Sequence, residues 1–315
     1  MTIEDRNTVF FINGGAGRVL CSIPALELFA KENPSNDFII VSESGLDFYK
    51  GHPILHERAY DINHKDLFKH YIKHRNIATP EPYRVYEYYN QLCSLSQAFD
   101  IEINKKGIRD VGNPQLYLDG NEYFGGIELV REVKEKTNKN KIIVIQPFGR
   151  GSQTIGTIRH DQSGRSLSTL DTLKIIKKLQ KDFGVILMSE FPIEQDKNTD
   201  LFAMPLNISL RQWAGIISEC DYFVGIDSVG QHLANSLDKY STVLIGATYP
   251  INITYPQNNK FNIIDLGEDR RKYDPIRISF DDVSFRNNEN IMQLDDDVIN
   301  LIVDSIVHTQ KEITR

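Results

Sequence analysis

The sequence predicts an α/β protein made of two doubly wound, parallel-sheet domains. Three observations carry this reading. Short β-branched or aromatic runs alternate with helical patterns, which implies βαβ units. The alternation begins twice, near residue 8 and again near residue 141. At 315 residues the chain holds roughly two domains' worth of material at ~150 residues each.

The elements follow in order. A strand over Thr8–Ile12 leads through Gly14-Gly15-Ala16-Gly17 toward a helix over Ala25–Glu32, and a second strand covers Phe38–Ser42. From about 50 to 110 the pattern lapses into a stretch rich in Tyr, His and Lys. The charged run Arg131–Lys141 has neither Pro nor an aromatic residue and reads as a linker, giving domains over 1–135 and 136–315. The second series then runs strand Lys141–Gln146, helix Leu170–Asp182, strand Val185–Met188, helix Leu210–Glu219 and strand Tyr222–Gly225. It continues with helix Gly230–Leu237, strands Thr242–Ile245 and Asn262–Asp265, and a closing helix Asp297–His308. Strands this uniformly apolar are covered on both faces, as parallel sheets are. Two such domains about a hinge place a ligand cleft at the carboxyl ends of both sheets.

Composition narrows the function. With 40% hydrophobic and 25% charged residues the chain is of ordinary globular make-up. No apolar run approaches the ~20 residues of a membrane span, and MTIEDRN lacks a signal-peptide pattern, so a cytoplasmic protein is expected. Cys21, Cys93 and Cys220 stand in no disulfide-like or zinc-like spacing and read as small buried thiols. A net charge of -7 argues against a nucleic-acid coat but leaves room for local basic surfaces. One such surface spans Lys50 to Arg75, with Lys65, Lys69 and Lys73 expected on one helical stripe and five histidines nearby, His52, His56, His64, His70 and His74.

Three loops carry chemistry. Gly14 to Gly17 lets backbone approach a ligand where strand turns into helix, but it fails the GxGxxG dinucleotide pattern, since Leu20 stands where a third glycine is needed. Arg18 opens the helix, where a guanidinium can fork to a phosphate or carboxylate. In the second loop, Gly149, Gly151, Gly156 and Gly164 interleave with Arg150, Arg159 and Arg165, a set able to converge on anionic oxygens. In the third, Asp227 and Ser228 end an apolar strand and precede a helix bearing His232, where an anion would meet N–H groups, a hydroxyl and an imidazole.

Residues 141–250, from IIVIQPFG through GRSLSTLDTLKIIKKL to GIDSVGQHLANSL and IGATYP, resemble the donor domain of glycosyltransferase family 9, the heptosyltransferases. The resemblance implies a GT-B fold, two Rossmann-like domains facing a central cleft, with the amino-terminal one taking the acceptor. It also implies that Asp227, Ser228 and His232 hold the donor diphosphate, that Arg165 stands in for a phosphate-binding Lys, and that Gly246 and Thr248 lie in the loop after the next strand. More weakly, Glu194 resembles an acidic residue that takes ribose hydroxyls, and Gly149, Arg150 and Gly151 complete the donor set. In the first half, Gly17 to Leu26 resembles the family's GDVLxxxPAL, with Arg18 where the family has its catalytic Asp. An arginine stays protonated and cannot act as a base, so Glu43 or Asp47 in the loop after the second strand is expected to take the proton, with Arg18 an electrostatic clamp and Gly15 and Gly17 lining the acceptor side.

The function expected is metal-independent transfer of a sugar from a nucleotide-diphosphate sugar, with no further cofactor, to a hydroxyl of an anionic acceptor reached through Lys65, Lys69 and Lys73. Two acceptors fit a basic surface: phosphorylated lipopolysaccharide core, and DNA with hydroxymethylated bases, as modified by phage enzymes of GT-B fold. An inactive nucleotide-sugar binder and a GT-B-like epimerase are the alternatives. Asp295-Asp296-Asp297 contains a DxD pattern but reads as a helix start, the His70 and His74 pair as a solvated face, and Tyr83, Tyr86, Tyr88 and Tyr89 as core.

Overall fold

A computed structural model describes residues 7–149, 152–155, 158–161, 163–191, 193, 201–272, 274 and 290–313. The chain divides into two compact units, Met1–Asp119 and Gly120–Arg315.

In the first unit, β1 (Thr8–Ile12), β2 (Ile39–Ser42), β3 (Ala59–Asp61) and β4 (Asn76–Ala78) form one parallel sheet in the order β3-β2-β1-β4. Helix α1 (Ala16–Glu32) begins at the glycine loop and continues through Pro24, so it is a full turn and more longer than the pattern from Ala25 suggested. Pro24 is buried with Val19, Leu20, Ile23 and Leu26, and the helix carries on around it because that packing outweighs one lost backbone bond. Phe29 seats edge-on against Phe10 and Phe38, with ring centroids 4.8 and 5.3 Å apart, fixing α1 on the sheet. A short turn α2 (Tyr86–Tyr89) and helix α3 (Leu95–Asn104) fill the stretch where no pattern was visible. Ser94 and Gln97 form a reciprocal capping box at the start of α3.

The second unit opens with α4 (Gly120–Thr137), followed by β5 (Ile142–Ile145), the antiparallel hairpin β6 (Ser152–Ile155) and β7 (Ile158–Asp161), α5 (Thr169–Leu179), β8 (Gly184–Leu187) and β9 (Phe202–Ala203). Then come α6 (Leu210–Glu219), β10 (Tyr222–Ile226), α7 (Val229–Ser236), β11 (Ser241–Ile245), α8 (Pro250–Ile253), β12 (Phe261–Asp265) and α9 (Asp296–Ile313). The main sheet is parallel in the order β12-β11-β10-β5-β8-β9. Its core gathers Ile143, Ile145, Val185, Leu187, Tyr222 and Val224 from the strands with Ile175, Ile176, Ile299 and Ile302 from α5 and α9.

Helix α4 corrects the expected linker. Arg131–Thr137 is its second half, and the contact division falls at Asp119 and Gly120, upstream of 135. The buried positions of α4 are Glu122, Gly126, Val130 and Val133, a stripe at helical spacing but only half apolar. Two devices replace the missing hydrophobes. Glu122 pairs with Arg211 of α6 at 2.5 and 2.7 Å, both enclosed. Gly126 and Gly215 bring the α4 and α6 backbones together: a Cβ on Gly126 would stand 2.1 Å from the Gly215 carbonyl oxygen, and one on Gly215 2.0 Å from that of Glu122.

Each sheet has one place where the strand order reverses. In the first unit it lies between β1 and β4, and in the second between β5 and β10. In open parallel sheets the crevice beyond the carboxyl ends at such a point is where ligands bind.

Candidate functional site

At the β5–β10 reversal the chain leaves β5 at Gln146 and β10 at Asp227. Gln146, 3% exposed, accepts the Gly230 N–H at 2.9 Å through Oε1 and donates through Nε2 to the Ser228 hydroxyl oxygen at 3.2 Å. It thereby ties the end of one strand to the start of α7. Gly230 is required for this approach, since a Cβ there would meet Gln146 Oε1 at 2.2 Å. Ser228 is the residue before α7 in extended conformation, its side chain does not cap the helix, and the first turn of α7 holds no acidic residue. The positive end of the helix dipole is therefore not offset within that turn.

Arg165 and Asp227 stand opposite each other. Arg165 Nη1 is 3.7 Å from the Asp227 carboxylate and donates to the Asp227 carbonyl oxygen at 3.4 Å, while its Nε donates to the Ser163 hydroxyl oxygen at 2.9 Å. Their side chains are 15% and 5% exposed. Arg165 is held in place by this shell and offers a fixed cation rather than a sweeping one.

The turn carrying Arg165 is organised by Asp161, whose carboxylate accepts the N–H and hydroxyl of both Ser163 and Ser166. Ser166 Oγ in turn accepts the Gly149 N–H at 2.9 Å, which binds the turn to the end of β5. On the other side, the Gly164 carbonyl accepts the Ala247 N–H, and a Cβ on Gly246 would stand 2.9 Å from that same oxygen. Arg271 donates to the Gly246 carbonyl at 2.7 Å, pairs with Asp265 and lies over the Tyr249 ring, 5.3 Å from its centroid. Thr248 Oγ1 is enclosed without a hydrogen-bond partner among the described residues.

His232 sits one turn into α7, 3% exposed, with Nδ1 2.7 Å from the Tyr255 hydroxyl and the two rings edge to face at 5.8 Å. Its ring is packed and oriented by Tyr255. The structure thus brings together Gly149, Arg165, Asp227, Ser228 and Gly246 around one strand-order reversal, with Thr248 two residues beyond Gly246 and His232 in the α7 helix that follows Ser228. Arg150, Gly151, Gly156 and Glu194 lie outside the described residues, as does the side chain of Arg159.

In the first unit the expected clamp is corrected. Arg18 turns inward: Nη1 donates to Glu81 Oε1 at 3.1 Å, Nη2 donates to Glu81 Oε2 at 3.3 Å and to the Pro80 carbonyl at 2.9 Å. Its guanidinium is committed to these acceptors and to the rings of Tyr83 and Phe99. Gly15 precedes α1 and Gly17 is in its first turn. Glu43 and Asp47 are exposed in the segment after β2, Asp47 within a short 3-10 turn Leu46–Tyr49.

Lys65, Lys69 and Lys73 form no α-helical stripe. Only Phe68–Ile72 is helical, closed by a wide bond from the Lys73 N–H to the Phe68 carbonyl at 2.8 Å, between Asp66 and His74, which both have positive φ. The three lysines are nonetheless exposed and without an ion pair among the described residues. Lys50 pairs with Asp119, and Arg58 and Arg75 both reach Asp37. His52 is enclosed, with Nε2 2.8 Å from Glu27. Tyr83 and Tyr88 are core, whereas Tyr86 and Tyr89 are 72% and 52% exposed. Asp295 receives the Val298 N–H at 2.8 Å at the head of α9, the geometry of a helix start. Among the described residues no group of three His, Cys, Asp or Glu side chains is arranged to hold a metal ion, and no helix is long and apolar enough to cross a membrane.

Gln146, Asp161, Glu81, Tyr255 and Arg271 were not singled out in the sequence. The position of Gln146 immediately after an apolar strand was the one available signal, because that is where a parallel sheet presents side chains to a ligand.

No family model matches the chain, and no curated protein matches it in sequence. Solved structures do match in fold. A glycosyl transferase family 9 protein from Veillonella parvula aligns over 96% of this chain and 98% of its own, with a TM-score of 0.67 and 10% identity. The E. coli ADP-heptose lipopolysaccharide heptosyltransferase II aligns over 86% and 96%, with a TM-score of 0.59 and 12% identity. The iron-containing dodecameric glycosyltransferase TibC of enterotoxigenic E. coli aligns over 97% and 77%, with a TM-score of 0.61 and 10% identity. The architecture is that of a GT-B glycosyltransferase, an α/β fold with two parallel sheets.

Proposed function

We propose that the chain is a glycosyltransferase that binds a nucleotide-diphosphate sugar in its second unit and transfers the sugar to a hydroxyl of an acceptor taken by the first. The observation that carries this reading is the β5–β10 reversal, where Arg165, Ser228 and the start of α7, which has no acidic residue in its first turn, stand together beyond the carboxyl ends of the strands. A diphosphate is the anion such a set suits: it accepts hydrogen bonds from hydroxyl, guanidinium and helix N–H groups, and its negative charge grows as the sugar departs. These groups stabilise a leaving diphosphate without a metal ion. Asp227 holds Arg165 in place, and His232, set by Tyr255, supports the first turns of α7.

The acceptor is anionic on this reading, because Lys65, Lys69 and Lys73 are exposed and unpaired among the described residues. Hydroxymethylated DNA and phosphorylated lipopolysaccharide core both meet that description. Salt separates them: binding to duplex DNA falls with a log–log slope near -0.9 per neutralised phosphate. Titration of a hydroxymethylcytosine duplex should show that slope reduced in Lys65→Gln and Lys69→Gln if DNA is the acceptor. A duplex that does not bind at low salt leaves the glycolipid core.

The activity itself is tested by incubating the protein with a panel of nucleotide sugars, with and without acceptor. Transfer requires both substrates. Conversion of the donor alone would identify an epimerase, and binding without turnover an inactive carrier of nucleotide sugars.

A further inference from the structure

Transfer to a hydroxyl releases a proton, and a carboxylate or imidazole has to stand within hydrogen-bond reach to receive it. The topology of the first unit indicates where. Its strand order reverses between β1 and β4, and the segments leaving those strands are Asn13–Arg18 and Thr79–Glu81. The β1–β4 register pairs Phe10 with Ala78, and continuing it sets Asn13 level with Glu81. Glu43 and Asp47 follow β2, on the opposite side of β1 from this reversal.

Glu81 is held unlike an ordinary surface carboxylate. Both of its oxygens face the Arg18 guanidinium, at 3.1 Å for Oε1 and 3.3 Å for Oε2. The Arg18 side chain is 10% exposed and that of Glu81 46%. Four features fix the buried cation. The Pro80 carbonyl accepts from Nη2 at 2.9 Å, the rings of Tyr83 and Phe99 flank the guanidinium at 5.0 and 5.6 Å, and Gly14 leaves room for the arginine stem. A Cβ on Gly14 would stand 3.0 Å from Arg18 Cδ, and its φ of +101° is strained for other residues. The glycine loop therefore accommodates the arginine, and the arginine aims a carboxylate outward. Ionised carboxylate offers about four lone-pair sites, and a single guanidinium fork leaves the outer ones open. Level with it in the register, Asn13 Oδ1 is enclosed without a hydrogen-bond partner among the described residues, an acceptor that a second hydroxyl of the acceptor molecule would satisfy.

Resting on the transferase reading above, we infer that Glu81 is the catalytic residue that takes the proton of the acceptor hydroxyl, and that Arg18 is its positioning residue. In the step, the acceptor oxygen forms a bond to the anomeric carbon with its own electron pair. The bond from that carbon to the donor diphosphate breaks, its pair leaving with the nucleoside diphosphate. The hydroxyl proton passes to a Glu81 oxygen and from there to water.

The test uses the full chain with ADP-heptose and UDP-glucose as donors, and with phosphorylated lipopolysaccharide core oligosaccharide and hydroxymethylcytosine duplex as acceptors. Glu81→Gln should lower kcat by about 10²-fold or more, the usual worth of a positioned base, while calorimetry gives ADP and UDP the affinities of the parent. Formate should restore part of the activity of Glu81→Ala, which a purely structural role would not allow. Arg18→Lys should lower kcat less than Glu81→Gln does, because it keeps the charge and loses the fork. Parent-like turnover in Glu81→Gln, or a loss in Glu81→Ala that formate leaves unchanged, overturns the assignment. Absence of transfer by the parent to either acceptor, with ADP or UDP still bound, removes the transferase reading and this inference with it.

Discussion

Gly230→Ala is the substitution that most directly interrogates how the donor-side loop is built. The added Cβ would stand 2.2 Å from Gln146 Oε1 and 2.7 Å from Phe223 Cζ, and both neighbours are enclosed. Gln146 has to move, which breaks its bonds to the Gly230 N–H and the Ser228 hydroxyl oxygen. Two hydrogen bonds at a net ~0.5–1.5 kcal/mol each, with overpacking at ~1–3 kcal/mol, give a loss of about 2–6 kcal/mol. Urea denaturation followed by Trp213 fluorescence reads it out, since the chain has 1 Trp and it is buried in α6 of the second unit. In a Gln146→Ala background the same substitution should cost at least ~1 kcal/mol less, a coupling typical of residues in contact. Nucleoside-diphosphate affinity should fall in Gly230→Ala as well, because the start of α7 moves. A Gly230→Ala protein within about 0.5 kcal/mol of the parent, the range of neutral surface changes, would mean that Gln146 does not tie β5 to α7 as described.

Other consequences can be measured in the same way. Glu122→Gln removes the carboxylate charge facing the enclosed Arg211 guanidinium and should cost ~3–5 kcal/mol, whereas an unchanged urea midpoint would mean the α4–α6 pairing contributes nothing. Gly126→Ala should be comparably damaging, since its Cβ meets backbone rather than a side chain that can swing away. Burial pushes the thiols of Cys93 and Cys220 up to about 12, so both should resist a disulfide reagent at pH 8 and react only after unfolding; rapid labelling of either in the native protein would contradict their burial. Asp296 is held below the usual carboxylate range by its hydrogen bond to Lys174. That pair adds stability above the unfolded carboxylate pKa and loses it as pH falls through the lower folded value; the same hydrogen bond raises the Lys174 ammonium, whose contribution is lost as pH rises through its folded value, so Asp296→Asn should flatten both the acid and the alkaline side of a stability profile.

The second unit was legible because its strands β5, β8 and β10 are apolar runs buried on both faces, and β11 ends on one, Val243–Ile245. Periodicity locates such strands, and their order of connection places Gln146 and Asp227 at the ligand-facing edge. The first unit was less legible for a physical reason. Strands β3 and β4 are three residues each, too short for a pattern to show, and none of their residues is fully buried. Helix α4 was hidden because an ion pair and a glycine contact replace the apolar stripe that marks a helix. The Ser94 and Gln97 capping box was a usable signal for α3. The side chains that hold the sites are a different case. Glu81 is 63 positions from Arg18, and Tyr255 is 23 from His232. Nothing local to either residue predicts such a partner; the parallel crossover connections bring them together.

On the reading proposed above, a nucleoside diphosphate binds at the β5–β10 reversal. Backbone hydrogen exchange of the full chain, with and without saturating ADP or UDP, tests it most directly. Binding there gives ligand-dependent protection over 146–149, 163–166 and 227–232, the segments joined by Gln146, Arg165 and Ser166. Protection confined to the first unit, or none with either nucleotide, would contradict it.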